Sequence, residues 1–136
     1  MRNVLLEQTM TFVNRLLLVL AVYLLWRGHN EPGGGFIAGI MASIGYVFYA
    51  IVFGTEGARK KMIASPFTLI GTGLLTSVTS AFIPLFQGKA PLTGLWTEVA
   101  GVALGTPLLF DIGVFMVVFG IITAIVLTII EVLEWN

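Results

Sequence analysis

Four side chains stand out in this sequence as candidates to handle protons or cations: His29, Glu31, Glu98 and Asp111. His29 is the one histidine, a group that titrates near neutral pH and can relay a proton; the plainer reading is that it caps its own loop by hydrogen bonding. His29 and Glu31 together are too few ligands for zinc, so no metal site is expected. Asp111 follows Thr106-Pro107, which reads as the N-cap and first position of a helix. A carboxylate about one turn inside such a helix is favoured by the helix dipole. It can equally stand on an ion or proton path, because acids within membrane spans are usually functional or paired. Both readings are open. Glu98 lies in Leu95-Trp96-Thr97-Glu98-Val99-Ala100, which reads as an interfacial helix with a solvated acid. No nucleophile–base–orienter set is visible, since His29 is the sole histidine base and cysteine is absent. Neither an enzyme nor a cofactor site is expected.

The stretch Arg27-Gly28-His29-Asn30-Glu31-Pro32-Gly33-Gly34-Gly35-Phe36 is the most unusual in the chain. Pro32, Gly33, Gly34 and Gly35 cannot be ordinary helix, because proline lacks a donor and glycine is costly there. They form a tight turn feeding a helix, whose first amides suit a carboxylate or other anion. A phosphate-binding P-loop is excluded by the missing Lys-Ser/Thr pair and the absence of a preceding strand.

These residues must be positioned by membrane helices. The 136 residues are 57% hydrophobic and 10% charged, with net charge zero, and the mean hydropathy is +1.00. Soluble domains carry about 25% charged residues, so this chain takes the bilayer as its solvent. Zero net charge also leaves no basic footprint for nucleic acid. A span needs about 20 mostly apolar residues. Four stretches qualify, 4–26, 36–53, 67–86 and 107–133, and residues 1–136 read as one membrane-embedded all-α domain. The first connection is glycine-rich. The second, Gly54–Pro66, is polar and carries Arg59-Lys60-Lys61. The third, Gln87–Thr106, is long and partly apolar. The first span is broken by Arg15 and lacks a small-x-small cleavage site, so it is expected to stay as an anchor.

Basic residues gather with the two termini and the second connection, which predicts both termini on the cytoplasmic side of the cell membrane. Arg15 can snorkel to that face. Glu131 and Glu134 end the last span there as solvated acids. The first and third connections then share the opposite side, so His29, Glu31, Glu98 and Asp111 collect toward one face.

Small residues recur every four positions: Gly35, Gly39 and Ser43 in the second span, Gly73 and Ser77 in the third, Gly120 and Ala124 in the fourth. Such spacing lets helix backbones approach closely. Thr68, Thr72, Thr76 and Ser80 form a hydroxyl stripe on the third span. These faces pack within the chain or against another subunit, and a chain with so little interior favours outside partners.

Two motifs add a resemblance. Arg27 to Gly39 (RGHNEPGGGFIAG) resembles one signature of the B subunit of Mrp-type cation/proton antiporters, and Gly105 to Val114 (GTPLLFDIGV) resembles its second. They occur in order at the expected separation, without departure in either, and the four-span layout covers essentially the whole chain. The resemblance implies a supporting, non-catalytic subunit of a multi-subunit antiporter that exchanges Na+ for H+. Its implied partners are other Mrp subunits, including large antiporter-like ones. The expected roles are assembly and lining part of the ion path, with His29, Glu31, Asp111 and Glu98 as the polar contributors. The alternative is a purely structural membrane subunit of a related complex such as a membrane-bound hydrogenase.

Overall fold

The computed structural model describes residues 3–28 and 33–134. Helix α1 runs Val4–Arg27, α2 Gly35–Lys61, α3 Pro66–Phe82 and α4 Thr106–Glu134. A 3-10 turn, Ile83–Gln87, extends α3, and strands β1 (Trp96–Val99) and β2 (Val102–Gly105) form a hairpin before α4. The four helices, with α3 counted through Gln87, are long and apolar enough to cross a membrane. At about 1.5 Å per residue, the 24 residues of α1 are long enough for a hydrocarbon core of about 30 Å.

Helix starts follow local chemistry. Asn3 and Ser65 cap α1 and α3, each accepting the amide three residues on, from Leu6 and Thr68, so one otherwise orphaned donor is satisfied at each start. Pro66 takes the first position of α3, where its missing N–H costs nothing.

Packing is close in the pairs α3–α4, α1–α2 and α2–α4, and lighter between α1 and α4. The resulting order across the bundle is α1–α2–α4–α3. Ala21, Ala38 and Ala42 form one buried cluster against Phe115 and Phe119, and Tyr46, Ala50, Ala58 and Leu127 form another. Most large apolar side chains instead face outward, among them Phe12, Val19, Phe36, Phe67 and Leu75, as the bilayer or neighbouring subunits require.

Small residues set the approach of the helices. A Cβ on Gly39 would lie 2.8 Å from Val118 Cβ, and one on Gly73 2.7 Å from the Gly113 carbonyl. One on Gly120 would lie 2.8 Å from the Pro66 carbonyl. Ser77 donates to the Phe110 carbonyl across the α3–α4 seam at 3.3 Å. Ser43, by contrast, bonds back to Gly39 within α2, and Ala124 is half-buried with its carbonyl taken by Thr128. Thr72 and Thr76 also bond back along α3, whereas Ser80 bonds away from it.

Two connections differ from the sequence expectation. Gly54–Pro66 is not wholly loop: the chain reverses at Gly54 (φ 81°, ψ 160°), a conformation in which only glycine is at ease, and Thr55–Lys61 is again helical. In an unbroken helix Tyr46 and Ala58 would stand about 18 Å apart; here the Tyr46 hydroxyl donates to the Ala58 carbonyl. Lys60 pairs with Glu56 at 2.7 Å, one helical turn away. Arg59 reaches α4, holding Glu131 through Nε at 2.7 Å and Nη2 at 3.2 Å. Glu131 is therefore paired rather than simply solvated; Glu134 is exposed.

The segment around Glu98 is a β-hairpin, not an interfacial helix. Trp96 pairs with Gly105, Thr97 with Leu104, Glu98 with Ala103 and Val99 with Val102. Its two-residue turn, Ala100-Gly101, has both residues left-handed (φ 52° and 79°), the turn that matches strand twist. The tryptophan, threonine and valine of β1 suit a strand better than a helix.

Candidate functional site

The site is built where three chain segments meet: the Gly33–Gly35 turn leading into α2, the end of α3, and the first turns of α4. Gly34, at φ 106°, is left-handed, and its amide donates to the Leu24 carbonyl at 3.2 Å. The same carbonyl accepts Gly28 at 3.0 Å, so one atom near the end of α1 holds both sides of the connection. From there the chain turns straight into α2, and the Gly34 carbonyl accepts the Ala38 amide at 3.0 Å.

Glycine is required at the next contact. A Cβ on Gly35 would overlap the Asp111 carbonyl and lie 2.9 Å from the Phe115 amide nitrogen. The start of α2 is thus pressed onto the backbone of α4. A Cβ on Gly34 would stand 3.7 Å from both carboxylate oxygens of Asp111. The Asp111 carboxylate therefore sits against the N-terminal end of α2, close to the N-terminal end of its own helix, where both helix dipoles present their positive poles.

Beside it lies a cavity of about 330 Å³ lined by Gly28, Ser80, Ala81, Thr106 and Asp111, among others. At ~30 Å³ per water it has room for several. Among the described residues, Asp111 is the one ionisable side chain in its lining. Ser80 and Thr106 supply further polar atoms.

Thr106 carries more than its sequence context announces. Its hydroxyl accepts the Leu95 amide at 3.1 Å, and its own amide donates to the Leu95 carbonyl at 3.0 Å. Its carbonyl accepts the Ser80 hydroxyl at 2.7 Å. The Thr106 hydroxyl accepts from the Leu95 amide rather than from a helix amide; Thr106 fastens the hairpin and the end of α3 to the start of α4. The signal was a hydroxyl before proline, which reads only as a cap.

The four candidate side chains are not all brought together. Asp111 is half-buried in the site just described. Glu98 is exposed on β1 and does not line the Asp111 cavity. His29, Glu31 and Pro32 lie outside the described residues. Among the described residues, no group of three metal-ligating side chains occurs. Asn14 has no signal in the sequence. It is 1% exposed in the middle of α1, with neither amide atom hydrogen-bonded, and its Oδ1 would stand 3.0 Å from a Cβ on Gly45 of α2.

The chain is similar to known proteins over most of its length. A family model described as a domain related to the MnhB subunit of Na+/H+ antiporter matches residues 5–124. The chain is 37% identical over 135 residues to the B-type subunit of the Na(+)/H(+) antiporter of Alkalihalophilus pseudofirmus, covering 95% of this chain and 93% of the relative. It is 32% identical to the putative antiporter subunit mnhB2 of Staphylococcus epidermidis, covering 93% and 94%. Among solved structures, a chain of the Mrp complex from Dietzia sp. DQ12-45-1b superposes with a TM-score of 0.82 at 28% identity. That match covers 93% of this chain but spans only 14% of the solved one.

Proposed function

The chain belongs to the MnhB family of Na+/H+ antiporter subunits, and from that premise we propose that it contributes the Asp111 cavity to the ion path of an Mrp-type complex. It is a multi-pass membrane subunit whose partners are the other Mrp subunits. Within such a complex it supports assembly rather than catalysing a reaction of its own. The membrane-bound hydrogenase alternative is not favoured.

The observation that carries the ion-path role is the placement of Asp111. Its carboxylate meets Gly34 at the start of α2 and lines a cavity that includes Ser80 and Thr106. A half-buried acid in a polar cavity between helix ends is suited to passing a cation or proton between water and a neighbouring subunit. His29 and Glu31, which precede the glycine turn in the sequence, are its proposed companions. Glu98, on the exposed hairpin, is a weaker one. The basic side chains Arg59, Lys60 and Lys61 in the second connection support a reading with both termini on the cytoplasmic side.

The test is Asp111→Asn in the intact complex. Na+/H+ exchange in everted membrane vesicles should fall at least fivefold while native gels show the complex assembled. Unchanged exchange would leave the subunit a purely structural one.

A further inference from the structure

The order α1–α2–α4–α3 leaves α1 and α3 as the two lateral edges of the bundle. Helix α3 carries no charged residue. Its edge exposes Phe67, Leu75 and Val78, and the hydroxyls of Thr72 and Thr76 are taken by carbonyls of their own helix. The α1 edge differs. It exposes Phe12, Leu16 and Val19, and among them the cation Arg15.

Two helices fix the depth of Arg15. It stands at the middle of the 24 residues of α1, with about 17 Å of helix on either side at ~1.5 Å per residue. Its neighbour Asn14 has Oδ1 3.0 Å from where a Cβ on Gly45 would stand, and Gly45 lies midway between the start of α2 at Gly35 and its reversal at Gly54. An arginine side chain reaches about 7 Å from its Cα at ~1.5 Å per bond. The hydrocarbon core has a half-thickness of about 15 Å, so the snorkelling expected from the sequence falls short. The guanidinium instead lines a groove of about 370 Å³ with Glu7, Gln8, Thr11 and Phe12 of α1 and Phe53 of α2. Glu7 is two helical turns away, about 12 Å along the axis, and the Thr11 hydroxyl is spent on the Glu7 carbonyl at 2.9 Å. Among the described residues, Arg59 is paired with Glu131 and Lys60 with Glu56, and no acid is paired with Arg15. A charge at this depth is costly in lipid and is met by an opposite charge within protein.

We propose that the α1 edge is the face by which this chain docks in its complex, and that Arg15 there pairs with a carboxylate in the middle of a transmembrane helix of another subunit. The guanidinium fork suits a carboxylate, which it can hold through two hydrogen bonds. The groove admits the acid, and Phe12 and Val19, one turn to either side of Arg15, offer the helix an apolar surface. A second copy of this chain does not fit. Two copies related by a two-fold axis along the membrane normal set Arg15 against Arg15 at equal depth. Lipid carries its charge in the headgroup, about 15 Å from the midplane. The proposal rests on membership of the complex and is independent of the ion-path role of Asp111.

The test keeps the complex whole. In cells expressing all its subunits, Phe12 is replaced by photoreactive benzoylphenylalanine, the membranes are illuminated, and adducts are identified by mass spectrometry. The adduct should join this chain to a transmembrane segment of another subunit that carries Asp or Glu within the span. Arg15→Gln should lower its yield at least fivefold at equal membrane levels of this chain, and Arg15→Lys should keep most of it. Arg15→Glu combined with arginine in place of the partner's acid should restore what Arg15→Glu alone loses, which separates a lost pair from a misfolded chain. Adducts with lipid alone or with a second copy overturn the proposal, as does a partner segment without an acid. So does a yield that Arg15→Gln leaves unchanged, or a loss that the charge exchange does not repair. None of these outcomes bears on exchange in Asp111→Asn, which tests the ion path.

Discussion

The hydroxyl of Ser80 donates to the main-chain oxygen of Thr106 at 2.7 Å, joining the end of α3 to the first residue of α4 across a connection of more than twenty residues. Thr106 also holds Leu95 through two further bonds. The long third connection is therefore tied down at its root, beside the cavity that Asp111 lines. Thr106→Val keeps the shape of the side chain and removes the acceptor for the Leu95 amide. One hydrogen bond is worth about 1 kcal/mol net. Amide exchange at Leu95 and through 96–105 should speed up about fivefold, with exchange in the helices unchanged. Mass-spectrometric hydrogen exchange on the purified chain reads this directly.

The α3–α4 seam offers a paired test on one helix. A Cβ on Gly73 would lie 2.7 Å from the Gly113 carbonyl and 2.9 Å from Met116 Cβ, whereas nothing lies within 4 Å of a Cβ on Gly71. Gly73→Leu overfills a closed contact, which typically costs about 1–3 kcal/mol. Gly71→Ala meets open space and gains helix propensity of about 1 kcal/mol. Thermal unfolding in detergent should separate the two, the first lowering Tm and the second holding or raising it. Equal responses would mean the seam is not packed in this way.

Gly54 tests conformation alone. No atom lies within 4 Å of a Cβ there, but its φ is 81°. At φ 81° and ψ 160° the backbone lies in a region essentially reserved to glycine, and any other residue there costs about 1–3 kcal/mol. Gly54→Ala and Gly54→Asn should both weaken the fold-back of Thr55–Lys61. Because the chain has no cysteine, Arg59→Cys with Glu131→Cys can report it: disulfide yield in membranes should fall in both variants relative to glycine.

The Arg59–Glu131 pair is bidentate but partly exposed, so its contribution to global stability is small. Its effect is on geometry. Arg59→Glu alone sets two acids together and should release the segment. Arg59→Glu with Glu131→Arg should restore it, with proteolysis at residues 59–65 as the readout. A double exchange as susceptible as the single one would show that the pair positions nothing.

Much of this architecture is written locally. Four apolar runs announce four helices, and Thr106-Pro107 announces the start of α4. Asp111 stands out because an acid near a span is rare. What escaped is non-local or ambiguous. Trp96–Val99 suits a short strand or an interfacial helix equally in hydropathy, and Ala100 is a poor signal for a left-handed turn. The reversal at Gly54 depends on Tyr46 meeting Ala58, which no local pattern encodes. That Gly34 and Gly35 lie on Asp111 requires knowing that α2 and α4 are neighbours. The spacing of Gly35, Gly39 and Ser43 suggests a tight neighbour without naming it.

The lateral order α1–α2–α4–α3 has a consequence for biogenesis. Helices leave the ribosome in sequence order, so α1 and α2 can pair as soon as both are in the bilayer. Helix α3 packs chiefly on α4, and until α4 arrives its Gly73 and Ser77 have no partner within the chain. During that interval α3 is a lone span with an open small-residue face, available to whatever insertion factor or sister subunit is nearby. The arrival of α4 closes the bundle and, in the same event, brings Asp111 to the glycine turn.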